Sequence, residues 1–180
     1  SANWNSAQTV TVTGVDDNII DGTQTSTVTV SIVDGSSDDD FDSVPDRTVS
    51  VATVDNDVAG FTIAQSDGST SVNESGTTDT FTIVLNAQPS SDVVFSITSG
   101  DTDEATVTSA LTFTSANWNS AQTVTVTGVD DNLVDGTITS TINVAVNDGS
   151  SDDNFDSVND QTVSVTTVDN DVAGFTITES

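Results

Sequence analysis

The sequence contains no cysteine, histidine, lysine, tyrosine or methionine, and Arg47 is its one basic residue. Without cysteine no disulfide can form, and without lysine no Lys–Asn isopeptide cross-link can form either. The usual bases and nucleophiles of enzymes are also missing, so we expect no enzymatic activity. A secreted β-domain of this composition that needs a cross-link is left with bound metal.

Basic charge is almost absent from a very acidic chain, with 29 Asp and Glu residues and a formal net charge of −28. Nothing here could neutralise phosphates, which excludes nucleic acid and an anionic membrane surface as partners. The sequence also has no run of about 20 apolar residues that would insert into a membrane. Self-repulsion of this size opposes compact folding unless cations are bound or salt is high. Two interpretations remain open: an acidic surface adapted to salt, or carboxylates that bind cations.

Repetition dominates the sequence. Ser1–Ser66 aligns without a gap on Ser115–Ser180 at an offset of 114 residues, and 52 of these 66 positions are identical. A long gapless repeat indicates tandem copies of one structural unit, here of ordinary domain size. We predict that 1–59 is the C-terminal part of one repeat, 60–173 a complete repeat, and 174–180 the first strand of a following repeat. Because methionine is absent, we interpret the chain as part of a longer array.

Thr, Val and Ser are abundant in the complete repeat, and apolar residues alternate with polar ones, which is the period of β-strands. Seven short strands at such spacing are typical of an all-β, immunoglobulin-like seven-stranded sandwich. The predicted strands lie near Phe61–Ile63, Phe81–Leu85, Val93–Ile97, Ala105–Thr114, Val124–Val126, Ile142–Val146 and Val163–Val165. Residues 1–59 repeat only strands five to seven, near Val10–Val12, Val28–Ile32 and Val49–Val51.

The apolar positions of strands five and seven shift by one residue just before an acidic segment, from 126 to 129 and from 165 to 168. Either a β-bulge turns the following side chains to the other face, or Gly128 and Thr167 simply end their strands. A bulge would aim the carboxylates of both loops toward one end of the sandwich.

Calcium binds six to eight oxygen ligands from carboxylates, carbonyls and water. Acidic segments follow strands five and seven, and they leave the sandwich at the same end if those strands run in the same direction. Acids before strand two and between strands three and four can reach that end as well. The candidate ligands are Glu74, Asp101, Asp103, Asp130, Asp131, Asp135, Asp169, Asn170 and Asp171, with Asp16, Asp17, Asp21, Asp55, Asn56 and Asp57 as the matching residues of 1–59.

A second acidic cluster lies between strands six and seven, where oxygen-bearing side chains occupy every second position from 148 to 156. Its candidate calcium ligands are Asp148, Asp152 and Asp156, and Asp34, Asp38 and Asp42 in the first copy. The spacing is similar to the front half of an EF-hand loop but lacks its Gly and terminal Glu. A solvated acidic loop explains the pattern equally well.

Three segments together resemble the Calx-beta repeat: VNESGTTDTFTIVLNAQP, which carries Glu74, then LTFTSANWNSAQTVTVTGVDDNLVDG, and VSVTTVDND. The family pattern is an early Glu, an Asp-Asp pair followed by an acid, and a closing acidic triplet, and it spans 60–173. The resemblance implies a seven-stranded sandwich with calcium at the end facing the next module. The ligands it implies are Glu74, Asp130, Asp131, Asp135, Asp169, Asn170 and Asp171. The usual Asp-Tyr between strands three and four is absent, and Asn170 replaces a middle Asp.

Near-identical units with acidic joints and no catalytic groups predict a calcium-binding extender repeat of a long extracellular bacterial surface protein or fibre, adhesin-type. Neighbouring repeats of the same chain, and identical chains in a filament, are the expected partners. The alternative is a carbohydrate-binding module of a secreted protein. That alternative would use Trp118 as a sugar platform, whereas a single Trp in each repeat is equally explained as an aromatic cap of the core.

Overall fold

The computed structural model of the protein describes residues 3–179 and divides the chain into two compact units, Ser1–Asn56 and Asp57–Ser180. Unit 1 contains an antiparallel pair, β1 (Gln24–Val30) and β2 (Arg47–Thr53), in which Val28 lies opposite Val49. Unit 2 contains β3 (Phe61–Gln65), β4 (Thr70–Asn73), β5 (Thr78–Leu85), β6 (Val93–Ser99), β7 (Ala105–Val107), β8 (Ala110–Phe113), β9 (Gln122–Gly128), β10 (Ile138–Val146) and β11 (Gln161–Val168). Helical structure in residues 3–179 is limited to three-residue 3-10 turns, none of which could cross a membrane.

Unit 2 is a β-sandwich of two sheets, with strand orders β4-β11-β10-β6-β8 and β3-β5-β9-β7. Neighbouring strands are antiparallel except for β4 and β11, which run parallel. The predicted alternation is present: Phe81, Ile83 and Leu85 of β5 are buried, whereas the residues between them are half-buried. The prediction of an all-β sandwich is therefore confirmed.

Aromatic side chains from both sheets meet in the core of unit 2. The Phe95 ring of β6 contacts Phe61 of β3 edge-to-face, with ring centroids 4.9 Å apart, and Phe113 of β8 at 5.7 Å. All three rings are buried. Edge-to-face pairs of this kind contribute about 0.5–1.5 kcal/mol each beyond the burial of their area. The Phe61–Phe95 contact joins the two sheets directly.

The first predicted strand is β3 of one sheet, and a short additional strand, β4 of the other sheet, follows it after a turn that contains Asp67 at φ 47° and Gly68 at φ 81°. One of the seven predicted strands, the fourth, is divided between the sheets. The fourth consists of β7 and β8, which separate around Thr108 and Ser109. The β4 segment was not predicted, because only Val72 within it is a large apolar residue.

The β-bulge interpretation is wrong, and the strands simply end. The buried positions of β9 continue in register through Gly128, and those of β11 continue through Thr167. Val168, which suggested the register shift, is 39% exposed at the end of its strand. The ends of β9 and β11 both lie beside the end of β4, so the two acidic segments begin at the same end of the sandwich.

The predicted strand at Val10–Val12 does not form. In unit 2 the matching strand, β9, pairs with β5 on one side and β7 on the other. Residues 3–56 match only the second half of the repeat and contain no counterpart of β5 or β7, so this segment has no strand to pair with. Phe175 and Ile177, expected at the start of a following repeat, are 89% and 78% exposed and lie outside any strand.

The loop between β10 and β11 folds inward at Asp152, which is 3% exposed. One oxygen of its carboxylate accepts hydrogen bonds from the Ser90 N–H and hydroxyl, both at 2.6 Å, and from the Ser91 N–H at 2.9 Å. The other accepts from the Asn154 N–H at 3.0 Å. Burial alone would raise the pKa of Asp152, but these donors outweigh it and lower the pKa. The ionised carboxylate therefore anchors the loop to the start of β6.

We predict that Asp152→Asn lowers the free energy of unfolding by about 1–3 kcal/mol at pH 7, because a donor then faces buried donors. An unfolded Asp has a pKa of about 3.9, and the folded pKa lies below it. The stabilisation is therefore complete above about pH 4 and is lost as the pH falls through the folded pKa. Thermal unfolding of both proteins should show a difference at pH 7 that shrinks below about pH 4. The exposed neighbour Asp153, changed to Asn, serves as the control, and an equal effect there would contradict the anchoring role.

Candidate metal centre

Three strands end side by side at one end of unit 2. The parallel pairing of β4 with β11 places Asn73 opposite Val168, so both chains leave the sheet in the same direction. The Glu74 N–H donates to the Val168 carbonyl at 3.2 Å, which extends the pairing by one residue. The residue directly after β4 is Glu74, and the residue directly after β11 is Asp169, so both strands are followed at once by a carboxylate.

Gly128 brings the end of β9 against the end of β4. A Cβ atom at this position would lie 2.2 Å from the Asn73 carbonyl oxygen, so only glycine permits the approach. The N–H of Gly128 also donates to the Thr77 carbonyl at 3.0 Å. The acidic loop that follows β9 therefore starts beside Glu74.

The first group of carboxylates consists of Glu74, Asp169 and Asp171, each with one oxygen within 4.8 Å of the others. Glu74 is 1% exposed, and its Oε2 accepts a hydrogen bond from the Asn170 N–H at 3.2 Å. Its Oε1 is buried without a hydrogen-bond partner, and so is Oδ2 of Asp171. Buried oxygens of this kind are rarely left without a partner in proteins.

The second group consists of Glu104, Asp131 and Asp135, again with oxygens within 4.8 Å of one another. Glu104 is 7% exposed, and its Oε2 is buried without a hydrogen-bond partner. The Glu104 carbonyl accepts from the Val129 N–H at 2.9 Å, which fixes the residue next to the end of β9.

Glu104 was not among the ligands predicted from the sequence, although Asp101 and Asp103 of the same segment were. Asp103 is exposed and Asp101 half-buried, and both line the cleft in front of the second group. Oδ1 of Asp101 accepts the Asp103 N–H at 3.2 Å, a contact within the loop. The one available signal was the position of Glu104 directly before the apolar strand that begins at Ala105.

Backbone hydrogen bonds shape the two acidic loops and hold them together. Oδ1 of Asp131 accepts the Leu133 N–H at 2.6 Å, and Oδ2 of Asp169 accepts the Gly136 N–H at 2.8 Å. The Asn170 side-chain amide donates to Oδ1 of Asp130 at 3.1 Å. The sequence prediction placed the loops after β9 and β11 at one end of the sandwich, and these contacts bring them there.

The pKa of Glu74 is raised, first by burial and then by the charges of Asp169, Asp131 and Asp135, with the Asn170 N–H as a partial offset. Burial, followed by the neighbouring carboxylates, also raises the pKa of Glu104 and of Asp171. Asp169 differs, because the N–H groups of Asp171 and Gly136 lower its pKa.

The raised pKa values mean that burial and neighbouring carboxylates disfavour the ionised forms of Glu74, Glu104 and Asp171. For a carboxyl group whose folded pKa lies above its unfolded value, folding becomes less favourable as the pH rises between the two values. The ionised forms of Glu74, Glu104 and Asp171 therefore oppose folding at neutral pH unless positive charge is supplied. A bound cation would offset the negative charge of these carboxylates, and it would also pair with the unpartnered oxygens of Glu74 and Glu104.

The first copy reproduces the loops without the glutamates. Oδ1 of Asp17 accepts the Ile19 N–H at 2.8 Å, and Oδ2 of Asp55 accepts the Gly22 N–H at 2.8 Å, as in unit 2. Among residues 3–179, however, both carboxylate triads lie in unit 2, because 3–56 contain no counterparts of Glu74 and Glu104. Metal binding there remains a prediction for Asp16, Asp17, Asp21, Asp55, Asn56 and Asp57.

The second predicted cluster lies away from these triads. The carboxylate of Asp152 is engaged by Ser90, Ser91 and Asn154, which explains this residue without a metal ion. Asp148 and Asp156 are exposed. In the first copy, Oδ1 of Asp38 similarly accepts the Asp40 N–H at 3.1 Å. Ligand roles for Asp148, Asp152, Asp156, Asp34, Asp38 and Asp42 remain predictions.

We predict that Gly128→Ala lowers both the stability of unit 2 and its affinity for calcium. The new methyl group would overlap the Asn73 carbonyl, so β4 must move and carry Glu74 away from its neighbours. Overpacking of this kind costs about 1–3 kcal/mol. Gly149→Ala is the matched control, because a Cβ there meets nothing within 4 Å. Unfolding curves with calcium and with chelator measure both effects, and identical behaviour of the two variants would contradict the prediction.

The sequence matches no protein-family model and no curated protein. Among solved structures, it is similar to domains 4 and 5 of the S-layer protein SbsC, at 24% identity and a TM-score of 0.47 over 81% of this chain. It is also similar to the apo form of the Calx CBD1 domain, at 13% identity and a TM-score of 0.44 over 62% of this chain and 98% of that one. The E. coli chaperone DraB gives 9% identity and a TM-score of 0.43, with 64% of this chain and 59% of that chain covered. The chain spans 58% of the SbsC structure, and all three TM-scores lie below 0.5.

Proposed function

We propose that unit 2 is a calcium-binding structural repeat of a long extracellular surface protein. The observation that carries the proposal is the pair of buried glutamates, Glu74 and Glu104, each with an unpartnered carboxylate oxygen among aspartates at one end of the sandwich. A buried carboxylate without a partner is costly, and a bound cation removes that cost.

The chemistry of the ligands favours calcium over other metal ions. Every candidate ligand is an oxygen, and the sequence contains no histidine or cysteine, the ligands that zinc and other transition metals prefer. Calcium accepts six to eight oxygens in flexible arrangements, whereas magnesium demands a tight octahedron. Two neighbouring carboxylate triads on loops between strands suit the calcium arrangement better than the magnesium octahedron.

Calcium would stabilise a fold that has no disulfide. An ion that binds only the folded state adds RT ln(1 + [L]/Kd) to the free energy of unfolding, about 2.7 kcal/mol at 100 times Kd. Extracellular calcium modules have dissociation constants of about 10⁻⁴–10⁻³ M, which suits the calcium concentration outside cells. Tandem repetition and the extreme acidity of the chain support a surface location.

In unit 2, Trp118 does not favour the alternative of carbohydrate binding. Trp118 is half-buried, and its carbonyl accepts the Leu85 N–H at 3.1 Å, so the turn that carries it is part of the sandwich framework.

We predict that Glu74→Gln and Glu104→Gln each weaken calcium binding by about tenfold or more, which corresponds to about 1.4 kcal/mol or more. Each substitution keeps the side-chain size and removes one charged ligand. Calorimetric titration of the full chain with calcium, after chelator treatment, measures the change.

Asp67→Asn is the matched control, because it removes one charge from a turn outside both triads while keeping a side chain that tolerates φ 47°. Binding should be unchanged in this variant. Equal losses in all three variants would mean that the chain attracts calcium diffusely and has no site. A wild-type chain whose melting temperature is the same in calcium and in chelator, at matched ionic strength, would refute the function as a whole.

We further propose that calcium stiffens the joint between repeats. In the sequence, three residues separate Asp171 from Phe175, the counterpart of the first residue of β3. An ion held by the Asp169–Asp171 segment and the loop after β9 would fix the direction in which the chain leaves its repeat. Without the ion, the carboxylates repel and that direction varies.

For a protein of two or more complete repeats, small-angle scattering should therefore give a larger maximum dimension in calcium than in chelator. Circular dichroism in both conditions is the control that each repeat stays folded. If the dimensions stay the same while the repeats remain folded, apolar contacts of Val172 and Phe175 would explain the joint better than calcium does.

A further inference from the structure

Asp-Gly pairs are the positions of a protein chain at which aspartate isomerises most readily, because glycine has no Cβ to shield its nitrogen. The glycine nitrogen attacks Cγ of the aspartate, a C–N bond closes a succinimide ring, and the carboxyl OH and the amide hydrogen leave as water. Water then opens the ring at either carbonyl carbon. One opening restores aspartate, and the other gives isoaspartate, whose backbone runs through Cβ and Cγ. The chain contains five such pairs, which begin at Asp21, Asp34, Asp67, Asp135 and Asp148.

The reactivity of each pair depends on how its glycine peptide is held. Ring closure requires this peptide to rotate until its nitrogen faces the side chain of the preceding aspartate. A hydrogen bond from the glycine N–H opposes the rotation, so the reaction proceeds from locally opened conformations of the segment. Pairs of identical sequence are therefore expected to react at different rates in the folded protein.

The Asp67–Gly68 pair lies in the open turn between β3 and β4. Both residues are exposed, and a Cβ at Gly68 would meet nothing within 4 Å. Asp67 has φ 47°, a left-handed conformation that a residue with a Cβ adopts at a cost, so opening of the turn relieves it. The nearby carboxylate of Asp79 accepts hydrogen bonds from Ser66 and Ser71, on either side of the pair. The turn is thus anchored at its two ends while the pair itself is exposed to water.

The Asp135–Gly136 pair has the same two residues, but its glycine is held by a carboxylate. The Gly136 N–H donates to Oδ2 of Asp169 at 2.8 Å. Asp169 directly follows β11, which fixes the acceptor to the end of a strand. The first copy has the same contact, since Oδ2 of Asp55 accepts the Gly22 N–H at 2.8 Å. The acceptor therefore recurs with the acidic loop.

The third pair of unit 2, Asp148–Gly149, lies in a 3-10 turn. The Ser150 N–H donates to the Asn147 carbonyl at 3.0 Å, and the Ser151 N–H donates to the Asp148 carbonyl at 3.3 Å. These backbone hydrogen bonds must break before the peptide between Asp148 and Gly149 can rotate.

We propose that Asp67–Gly68 is a site of spontaneous conversion to isoaspartate, and that the Asp169 carboxylate protects Asp135–Gly136 from the same reaction. Asp135 belongs to the second carboxylate triad, where isoaspartate would add a methylene to the backbone and displace the carboxylate. Asp169 thus preserves the covalent structure of the acidic loop in addition to its place in the first triad. This role rests on a hydrogen bond and does not require calcium, so it is tested in chelator.

The experiment incubates the full chain at neutral pH in chelator, unfolds samples taken over time and digests them with endoproteinase Asp-N. This enzyme cleaves before aspartate but not before isoaspartate, so each conversion leaves one peptide uncut. Electron-transfer mass spectrometry of the uncut peptides identifies the converted residue. Conversion at Asp67 should be faster than at Asp135 by about tenfold or more, because a charge-assisted hydrogen bond must break at Asp135 first.

Asp169→Ala removes the acceptor, so it should raise the rate at Asp135 by about tenfold or more and leave the rate at Asp67 unchanged. Asp171→Ala is the matched control, because it removes a carboxylate of the same triad and leaves the Asp169 acceptor of the Gly136 N–H in place. Circular dichroism verifies that both variants are folded.

The unfolded wild-type chain gives a comparison that depends on no variant. In denaturant, Asp67 and Asp135 should convert at similar rates, because each precedes glycine and the tertiary contacts are gone. A difference that persists in denaturant would overturn the proposal, and so would equal rates at the two residues in the folded chain. An unchanged or slower rate at Asp135 in Asp169→Ala would also overturn it, the slower rate because the carboxylate would then assist the reaction as a base.

Discussion

The pairing of the two halves of the repeat is the interaction on which the rest of this structure depends. Every strand of the second half of the repeat pairs with at least one strand of the first half: β9 lies between β5 and β7, β10 pairs with β6 as well as with β11, and β11 pairs with β4. The same pairing assembles the acidic end, because Glu74 and Glu104 come from the first half and the aspartate loops from the second. In unit 2 this pairing buries Val124 and Phe155 completely.

Two buried carboxylate environments in unit 2 illustrate opposite ways to hold negative charge. Asp152 receives four hydrogen bonds from Ser90, Ser91 and Asn154, so the protein itself stabilises the ionised form and the pKa falls. Glu74 receives one such hydrogen bond and faces other carboxylates, so its pKa rises. The first arrangement pairs the carboxylate within the chain, whereas the second leaves Oε1 of Glu74 buried without a hydrogen-bond partner. Carboxylates of one acidic sequence thus lie in two environments that shift their pKa in opposite directions.

The acidic end also depends on backbone geometry that leaves little tolerance. Gly128 allows the ends of β9 and β4 to approach until no Cβ fits between them, and the parallel pairing of β4 with β11 sets Glu74 beside Asp169. These contacts are made by the ends of three strands of one sandwich. The position of the carboxylates therefore depends on the stability of the sandwich. A substitution that destabilises the strand ends should also move the carboxylates.

The sequence by itself determined the strand periodicity, the repeat and the acidic segments after β9 and β11, because alternation and repetition are local properties of the chain. Tertiary structure decided what depends on distant neighbours. The crossings at Asp67–Gly68 and at Thr108–Ser109 follow from which sheet each segment finds, and the spacing of apolar residues does not record that choice. Asp152 was expected as a ligand, yet it is held by Ser90, which lies 62 residues away in sequence. Glu104 was missed because its burial comes from the end of β9 and from Asp131 and Asp135, none of which adjoins it in the chain.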